Sequence, residues 1–593
     1  MRDEDVRVEE GQAGDIEPVE EQAQGAVVTP EDSAAVPDEA AAAEALAGAF
    51  VQLGFVNFDG GGSSNASTGA MVSPDRRRNF RRDVYVGIRD VEQGLEFLGR
   101  VVEGPFHAPH EVGPDSAITR TTVLHPERTR FRPTYYVYGT IEVLGQLVPN
   151  ERVIPTPTRP RPYSEIYIFP PERLQRLLGI EGNFFLGHLM GYEGVQVFAD
   201  SGNKNFLPRN LGIFGTVGSG KSNTTQVVIE EALDAGWAVI VVDVEGEYVR
   251  MNEPTDDQTL ATLLQNSFGG EPAGMNDMRV FVPTAGTSDA VNPTFFKVPI
   301  AAIQPELVAD IMEFSEPQFR VFTTALTRAP RWVADRGQRR TGGLTGAQTS
   351  ARPYSLQDLI DGLGEDQSGN IPLLPNAQTP ERTAAYTLRS KLIQLGRSGM
   401  LDWNANNGVA ELPVDDLLTG GRLSVLDVSE TDDRSRNIAI AYTLQTLFER
   451  VIETEAGQNM QNGAVRPRVL VVIEEVHTFV SRATASKMRS VLDNLQIISR
   501  RGRKRWMALA LVSQQPGHVP DELFELVNTR FIHQLKSAAN LAPVRQTTGG
   551  VHEALWGTLP SLGPGQCLLT GATFRNPIFV EMRPAKSRRL LTS

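Results

Sequence analysis

The chain has 593 residues, 40% hydrophobic and 22% charged, and carries a formal net charge of −15 at neutral pH. These values suit an ordinary globular protein, and the length predicts two or three domains. No apolar run is long enough for a membrane span, and the single cysteine, Cys567, permits no intramolecular disulfide, so a cytoplasmic, reducing setting is expected.

Charge is unevenly distributed. Asp3-Glu4-Asp5, Glu9-Glu10, Glu20-Glu21, Glu31-Asp32 and Asp38-Glu39 place most of the excess acid at the N-terminus, and the remainder is near neutral. The total therefore neither favours nor excludes a nucleic-acid partner. Residues 1–48 are rich in Glu, Ala, Pro and Gln and poor in large apolar side chains. Such a segment cannot offset its chain entropy by burial, which predicts a disordered acidic tail. Ala40 to Phe50 suits a short helix and Gly60 to Asn65 a linker, so residues 1–75 are assigned to tail and linker. Arg76, Arg77, Arg78, Arg81 and Arg82 form a basic cluster, which fits a solvated face, a partner for the acidic tail or a phosphate contact.

Between Val84 and Phe169 short β-rich runs alternate with Gly and Pro, and predict a small β-barrel or sandwich over residues 76–175. An ATPase-like core is expected to open at residue 176. Leu211 to Phe214 is a short buried strand, Gly215-Thr216-Val217-Gly218-Ser219-Gly220-Lys221-Ser222 fits the P-loop pattern, and Asn223 to Ala235 has helical spacing. In that pattern glycines let backbone N–H groups turn toward a phosphate, the lysine reaches its oxygens, and the serine hydroxyl ligates Mg²⁺. Trp237 to Asp243 is a second buried strand that ends in an acid.

From 299 to 412 the periodicity is mostly helical and predicts an insertion, with a flexible loop at Gly337 to Ala351. Strand–helix alternation then resumes over 413–593 through Arg422–Asp427, Val469–Ile473 and Met507–Ser513. The fold class expected is α/β: a RecA-like P-loop NTPase with a mostly parallel, doubly wound sheet, an N-terminal β-barrel and a helical insertion.

Val469 to Ile473 followed by Glu474 and Glu475 reads as a Walker B strand. Glu474 would hold Mg²⁺, although Asp is the usual residue there, and Glu475 would polarise the attacking water. The bland alternative is an acidic helix cap. Gln514, which follows the next apolar strand, reads either as a phosphate sensor or as a structural glutamine.

Four elements together resemble the HerA branch of the HerA/FtsK hexameric ATPases. They are Gly215 to Asn223, the segment Asp243-x-x-Gly246-Glu247-Tyr248, the segment Glu474-Glu475-Val476-His477-x-Phe479, and Gly502-Arg503-Lys504 followed by Ser513-Gln514-x-Pro516. The resemblance spans about residues 80 to 583. It implies ATP and Mg²⁺ as ligands, bound by the P-loop through Asn223, with Glu474 and Ser222 at the metal. Asp243 and Glu475 would be the catalytic acids, and Arg209 and Arg500 would act on phosphate within or across subunits, with Arg501, Arg503 and Arg530 as alternatives.

The resemblance further implies a homohexamer that translocates on double-stranded DNA, gripping the backbone without sequence preference. It would act as a helicase with a NurA-like nuclease in end resection and DNA repair. The alternatives are an ATPase ring that scaffolds an anti-phage complex with another effector nuclease or an NAD-hydrolysing protein, and a conjugation-type motor, which the absence of a membrane anchor disfavours.

Overall fold

The β-rich runs ahead of Phe169 close into a ring. A computed structural model describes residues 51–58, 66–109, 117–125, 135–156, 158–192, 194–341, 353–403, 410–478, 480–485 and 488–590. The first seven strands are β1 (Val51–Val56), β2 (Ser67–Val72), β3 (Tyr85–Asp90), β4 (Leu95–Pro109), β5 (Tyr135–Val148), β6 (Arg152–Ile154) and β7 (Glu165–Ile168). They pair in the order β2-β1-β7-β3-β4-β5-β6, and β2 also pairs with β5. That additional pairing closes six antiparallel strands into a barrel, with β6 appended as a hairpin, and so removes the open sheet edges. Val86, Ile88, Phe97, Val101, Val137, Ile141 and Ile166 fill its interior.

The barrel begins earlier than expected. β1 and β2 lie in the stretch assigned to tail and linker, which corrects the boundary at residue 75. β2 reads Ser-Thr-Gly-Ala-Met-Val, and its inward positions Thr68, Ala70 and Val72 are too small to give a strong apolar alternation. β1 includes Gly54, where a Cβ would run into the Met71 carbonyl of β2, so the close approach uses a residue that reads as a breaker. The acidic stretch, the Ala40–Phe50 helix and the Gly60–Asn65 linker lie outside the described residues.

The second sheet contains β8 (Phe184–Leu189), β9 (Gln196–Ala199), β10 (Leu211–Phe214), β11 (Ala238–Asp243), β12 (Met278–Pro283), β13 (Thr294–Phe296) and β14 (Leu423–Asp427). It is completed by β15 (Val469–Ile473), β16 (Met507–Ser513), β17 (Thr529–Ile532), β18 (Gln566–Thr570) and β19 (Ile578–Met582). The order is β13-β12-β14-β11-β15-β16-β10-β17-β18-β19-β8-β9. From β13 to β17 every pairing is parallel, and from β17 to β9 every pairing is antiparallel. This is the α/β P-loop fold. In its parallel half β10, β11, β14, β15 and β16 are buried throughout, which explains their unbroken apolar runs. β16 lies between β10 and β15, so the ends of these three strands stand side by side at the carboxyl edge.

After β13 the chain leaves the sheet for helices Pro305–Ile311, Glu316–Thr341, Leu356–Gly362 and Thr379–Gly396. Bridges from Lys297 to Glu411 and from Val298 to Leu401 close the base of this insertion. The helix that begins at Glu316 continues to Thr341, past the predicted loop start at Gly337. Gln338, Arg339, Arg340 and Thr341 offer no breaker, whereas residues 342–351 of that loop lie outside the described residues. Among the described residues no helix is long and apolar enough to cross a membrane.

Barrel and α/β core meet through polar contacts. Tyr85 Oη donates to the Pro577 carbonyl at 3.2 Å, Tyr192 Oη to the Tyr85 carbonyl at 2.5 Å, and Arg82 to the Ala554 carbonyl at 2.7 Å. Arg81 reaches the Gly191 carbonyl at 3.0 Å. Two arginines of the basic cluster thus bridge the barrel and the core.

The segment after β19 is a packed strap over residues 583–590, and residues 591–593 lie outside the described residues. The buried Arg583 guanidinium pairs with Glu230 and Glu231, each at 2.8 Å, on the helix Lys221–Asp234. Removing one side of a buried ion pair leaves uncompensated charge. Arg583→Ala is expected to cost about 3–5 kcal/mol, read as a lower midpoint in urea unfolding. An unchanged midpoint would show that the pair contributes nothing net to the fold.

Candidate functional site

β10 delivers the glycine-rich loop to the carboxyl edge, where Phe214 pairs with Ser513 of β16 on one side and Ile532 of β17 on the other. The loop is fastened at several points. Thr216 donates to the Gln534 carbonyl through its N–H at 3.0 Å and its hydroxyl at 3.1 Å. The Ser219 hydroxyl donates to the Thr216 carbonyl at 2.7 Å, and the Gly565 N–H donates to the Ser219 carbonyl at 3.0 Å. Gly220 has φ of +100°, and a Cβ there would lie 2.5 Å from the Gly565 nitrogen, so both backbone angle and space demand glycine. The helix Lys221–Asp234 starts directly behind it and presents unsatisfied N–H groups to the loop. Val217, 81% exposed, marks the loop's outer tip. Beneath Gly215, burial holds His533 down to about 3, so the imidazole stays neutral and adds no charge under the loop.

β11 and β15 bring acids to the same edge. Asp243 is fully buried, and its carboxylate accepts N–H bonds from Gly246 at 2.7 Å, Tyr248 at 2.8 Å, Glu247 at 3.2 Å and Glu245 at 3.3 Å. Burial nevertheless pushes its pKa up to about 7, against the effect of these bonds. Asp243 thereby folds residues 243–248 into a loop that carries Glu245 and Glu247 toward Glu474. One carboxylate oxygen from each of these three glutamates lies within 4.8 Å of the other two. Tyr248 Oη donates to Glu474 Oε1 at 2.8 Å, whereas Glu474 Oε2 and Glu247 Oε2 are buried without a hydrogen-bond partner. Burial drives Glu474 well above the ordinary carboxyl range, with Asp243 and Glu247 adding to it. Burial, Glu475 and Glu247 likewise raise Glu245. Lys221, 5% exposed, is lowered by burial and held up by the charges of Glu475, Glu474, Glu245 and Glu247. Oxygen donors with two buried atoms that lack a hydrogen bond fit a hard divalent cation such as Mg²⁺. The sequence pattern over residues 243–248 marks neither Glu245 nor Glu247 as a ligand. The available signal was three acids at alternate positions, 243, 245 and 247, after a buried strand.

Glu475 occupies the left-handed region, with φ of +43°, two residues past the end of β15. Its Oε2 accepts the Gln514 N–H at 3.1 Å and lies 3.1 Å from His477 Nδ1, which is also 3.2 Å from the Ser513 hydroxyl. Burial acts to raise Glu475, but His477, the Gln514 N–H and the Lys221 charge outweigh it and hold the pKa below the usual value. An ionised carboxylate beside a P-loop lysine is suited to accept a proton from water. Phe479 lies outside the described residues.

The remaining predicted residues are placed less centrally. Asn223 donates to the Arg583 carbonyl and accepts from the Ala585 N–H, both at 2.8 Å, so its amide is engaged by the strap. Arg209 precedes β10, at the opposite end of that strand from Gly215, and donates to Asn205 at 3.1 Å. Arg530 is buried and donates to the Phe524 and Val527 carbonyls and to Thr547 and Thr548, so it ties chain turns together. Arg503 donates to Asn205 at 2.9 Å. Arg500 and Arg501 are exposed near the end of the helix Arg489–Gly502.

Residues 184–447, from β8 into the helix Asp433–Glu453, match the family described as Helicase HerA, central domain. The matched segment contains the P-loop and the 243–248 loop. A DNA double-strand break repair helicase HerA from Pyrococcus furiosus is 22% identical over 481 residues, covering 76% of this chain and 78% of the relative. The Saccharolobus solfataricus protein of that name is 20% identical over 414 residues, covering 69% and 70% respectively. Among solved structures, VirB4 of Thermoanaerobacter pseudethanolicus aligns with a TM-score of 0.44 at 14% identity, covering 68% of this chain and 97% of that one.

Gly220→Ala is expected to fold but to lower affinity for a fluorescent ADP analogue by at least about tenfold, because the added methyl forces the loop off Gly565. Wild-type affinity with an unchanged melting temperature would contradict this reading of the loop.

Proposed function

This chain is a HerA-type ATPase, and from that premise we propose that it is the motor of a homohexameric ring that moves along double-stranded DNA. The observation that carries the reading is the convergence of Lys221, Glu475 and the Glu245–Glu247–Glu474 cluster at one edge of one parallel sheet. The relatives' names, as double-strand break repair helicases, support DNA as the track. Work with a NurA-like nuclease in DNA end processing is part of the same proposal, since this site suits phosphoryl transfer rather than DNA cleavage.

In this reading the P-loop amides of residues 216–222 and Lys221 hold the phosphates. Ser222, Glu245, Glu247 and Glu474 would hold Mg²⁺, which when bound would supply positive charge against that of the phosphates. Glu475 orients a water molecule and takes its proton as that oxygen attacks the γ-phosphorus, while ADP leaves with the bridging oxygen. His477 and the Gln514 N–H hold the Glu475 carboxylate, so the end of β16 is mechanically linked to the base. Asp243 acts by building the loop that presents Glu245 and Glu247. Arg500 or Arg501, being exposed, is the better placed arginine to enter a neighbouring subunit's site, where a planar, permanent charge stabilises the transition state. Arg209 remains a second candidate across an interface.

Linear duplex DNA is expected to stimulate ATP turnover several-fold, and Glu475→Gln to reduce turnover by about 100-fold or more while keeping ADP affinity. ATP hydrolysis indifferent to duplex would remove the translocase reading and leave an ATPase that acts as a scaffold. Light scattering at a mass other than that of six chains, with nucleotide and DNA present, would remove the ring.

A further inference from the structure

The segment that follows β19 returns along the P-loop helix and ends against the acidic cluster. Gln226 Nε2 donates to the Ser587 carbonyl at 3.1 Å, and Glu230 accepts from the Lys586 N–H, the Ser587 N–H and the Ser587 hydroxyl at 2.9, 2.9 and 2.7 Å. These contacts add to the Asn223 amide and the Arg583 ion pairs, so the strap is read by one face of the helix that begins at Lys221. Its path then crosses to the other side of the site. The Arg588 N–H donates to the Glu253 carbonyl at 2.8 Å, and the Arg588 guanidinium pairs with Glu253 at 2.6 Å and Asp256 at 2.9 Å. The Leu590 N–H donates to the Glu247 carbonyl at 3.0 Å.

Between these two anchors Arg589 points into the cluster, with Nη1 3.5 Å from Glu247 Oε2. That oxygen is buried and has no hydrogen-bond partner, and it belongs to the three carboxylates that lie close enough to share a cation. We propose that Arg589 is a positioning residue of the metal site: it holds Glu247 while no divalent ion is bound and competes with that ion for the Glu247 carboxylate.

This rests on the reading that Glu245, Glu247 and Glu474 hold the metal that accompanies nucleotide. Two cations cannot both sit on one carboxylate oxygen without mutual repulsion, so metal entry weakens the Arg589 contact. The segment around Leu590 is thereby sensitive to occupancy of the site. Arg589 is supplied by the same chain as the P-loop, unlike an arginine inserted from a neighbour.

The test uses full-length protein with saturating ADP and titrates Mn²⁺ by electron paramagnetic resonance, with ADP affinity measured separately by fluorescence. Arg589→Gln is expected to tighten Mn²⁺ binding by about three- to tenfold, because a nearby positive charge is lost. Arg589→Lys should keep most of the wild-type value. Arg588→Gln removes the same charge one residue away, against Glu253 and Asp256, and should leave Mn²⁺ affinity unchanged. Unchanged or weaker Mn²⁺ binding in Arg589→Gln overturns the proposal. If weaker binding comes with a loss of ADP affinity, Arg589 contacts phosphate instead. A wild-type chain that binds no ADP refutes the nucleotide reading itself, and the inference falls with it.

Discussion

Lys221 stands among four glutamates at the carboxyl edge of the parallel sheet, and the rest of the molecule is arranged around that imbalance of charge. Burying carboxylates is costly unless each has a hydrogen-bond donor or a cation. Glu475 has both, from His477, the Gln514 N–H and Lys221, and its pKa is held down accordingly. Glu474 has one donor, Tyr248, and keeps a buried oxygen unpaired. One buried acid therefore stays ionised while its sequence neighbour favours its proton until a cation arrives. That contrast suits the first to accept a proton and the second to meet a cation, the roles proposed for them.

Maintaining this arrangement requires rigid support from several directions. β10, β15 and β16 run side by side, so the P-loop, the acid pair and the Ser513–Gln514 turn share one edge. Asp243 folds the adjoining loop through four N–H bonds, and the left-handed backbone at Glu475 turns the chain immediately after Glu474. Behind the P-loop, Gly565 and the neutral His533 supply a floor, and the strap from Arg583 to Leu590 braces the helix from its outer face. Residues from both ends of the core thus meet at the site, and pairing of β8 with the C-terminal β19 brings those ends together.

The barrel follows a different logic. Its strands rely on closure, with β2 pairing to β5, rather than on strong individual patterns. It is joined to the core by tyrosine and arginine side chains that donate to backbone carbonyls. Arg81 and Arg82 are used in this way, so part of the basic cluster serves the fold.

Much of the core was legible in the chain itself. Unbroken apolar runs at Leu211–Phe214, Ala238–Asp243, Val469–Ile473 and Met507–Ser513 specify strands buried on both faces, and the P-loop spacing and paired glutamates specify local chemistry that needs few distant contacts. β1 and β2 were not legible, because Gly54 interrupts β1 and the inward residues of β2 are small, and both gain meaning only from the strands that cover them. The roles proposed for Glu245, Glu247 and Arg589 were equally hidden. An acid or an arginine looks the same in sequence whether it is solvated or buried beside others, and only the fold brings residues 245, 474 and 589 to one point, where their charges interact.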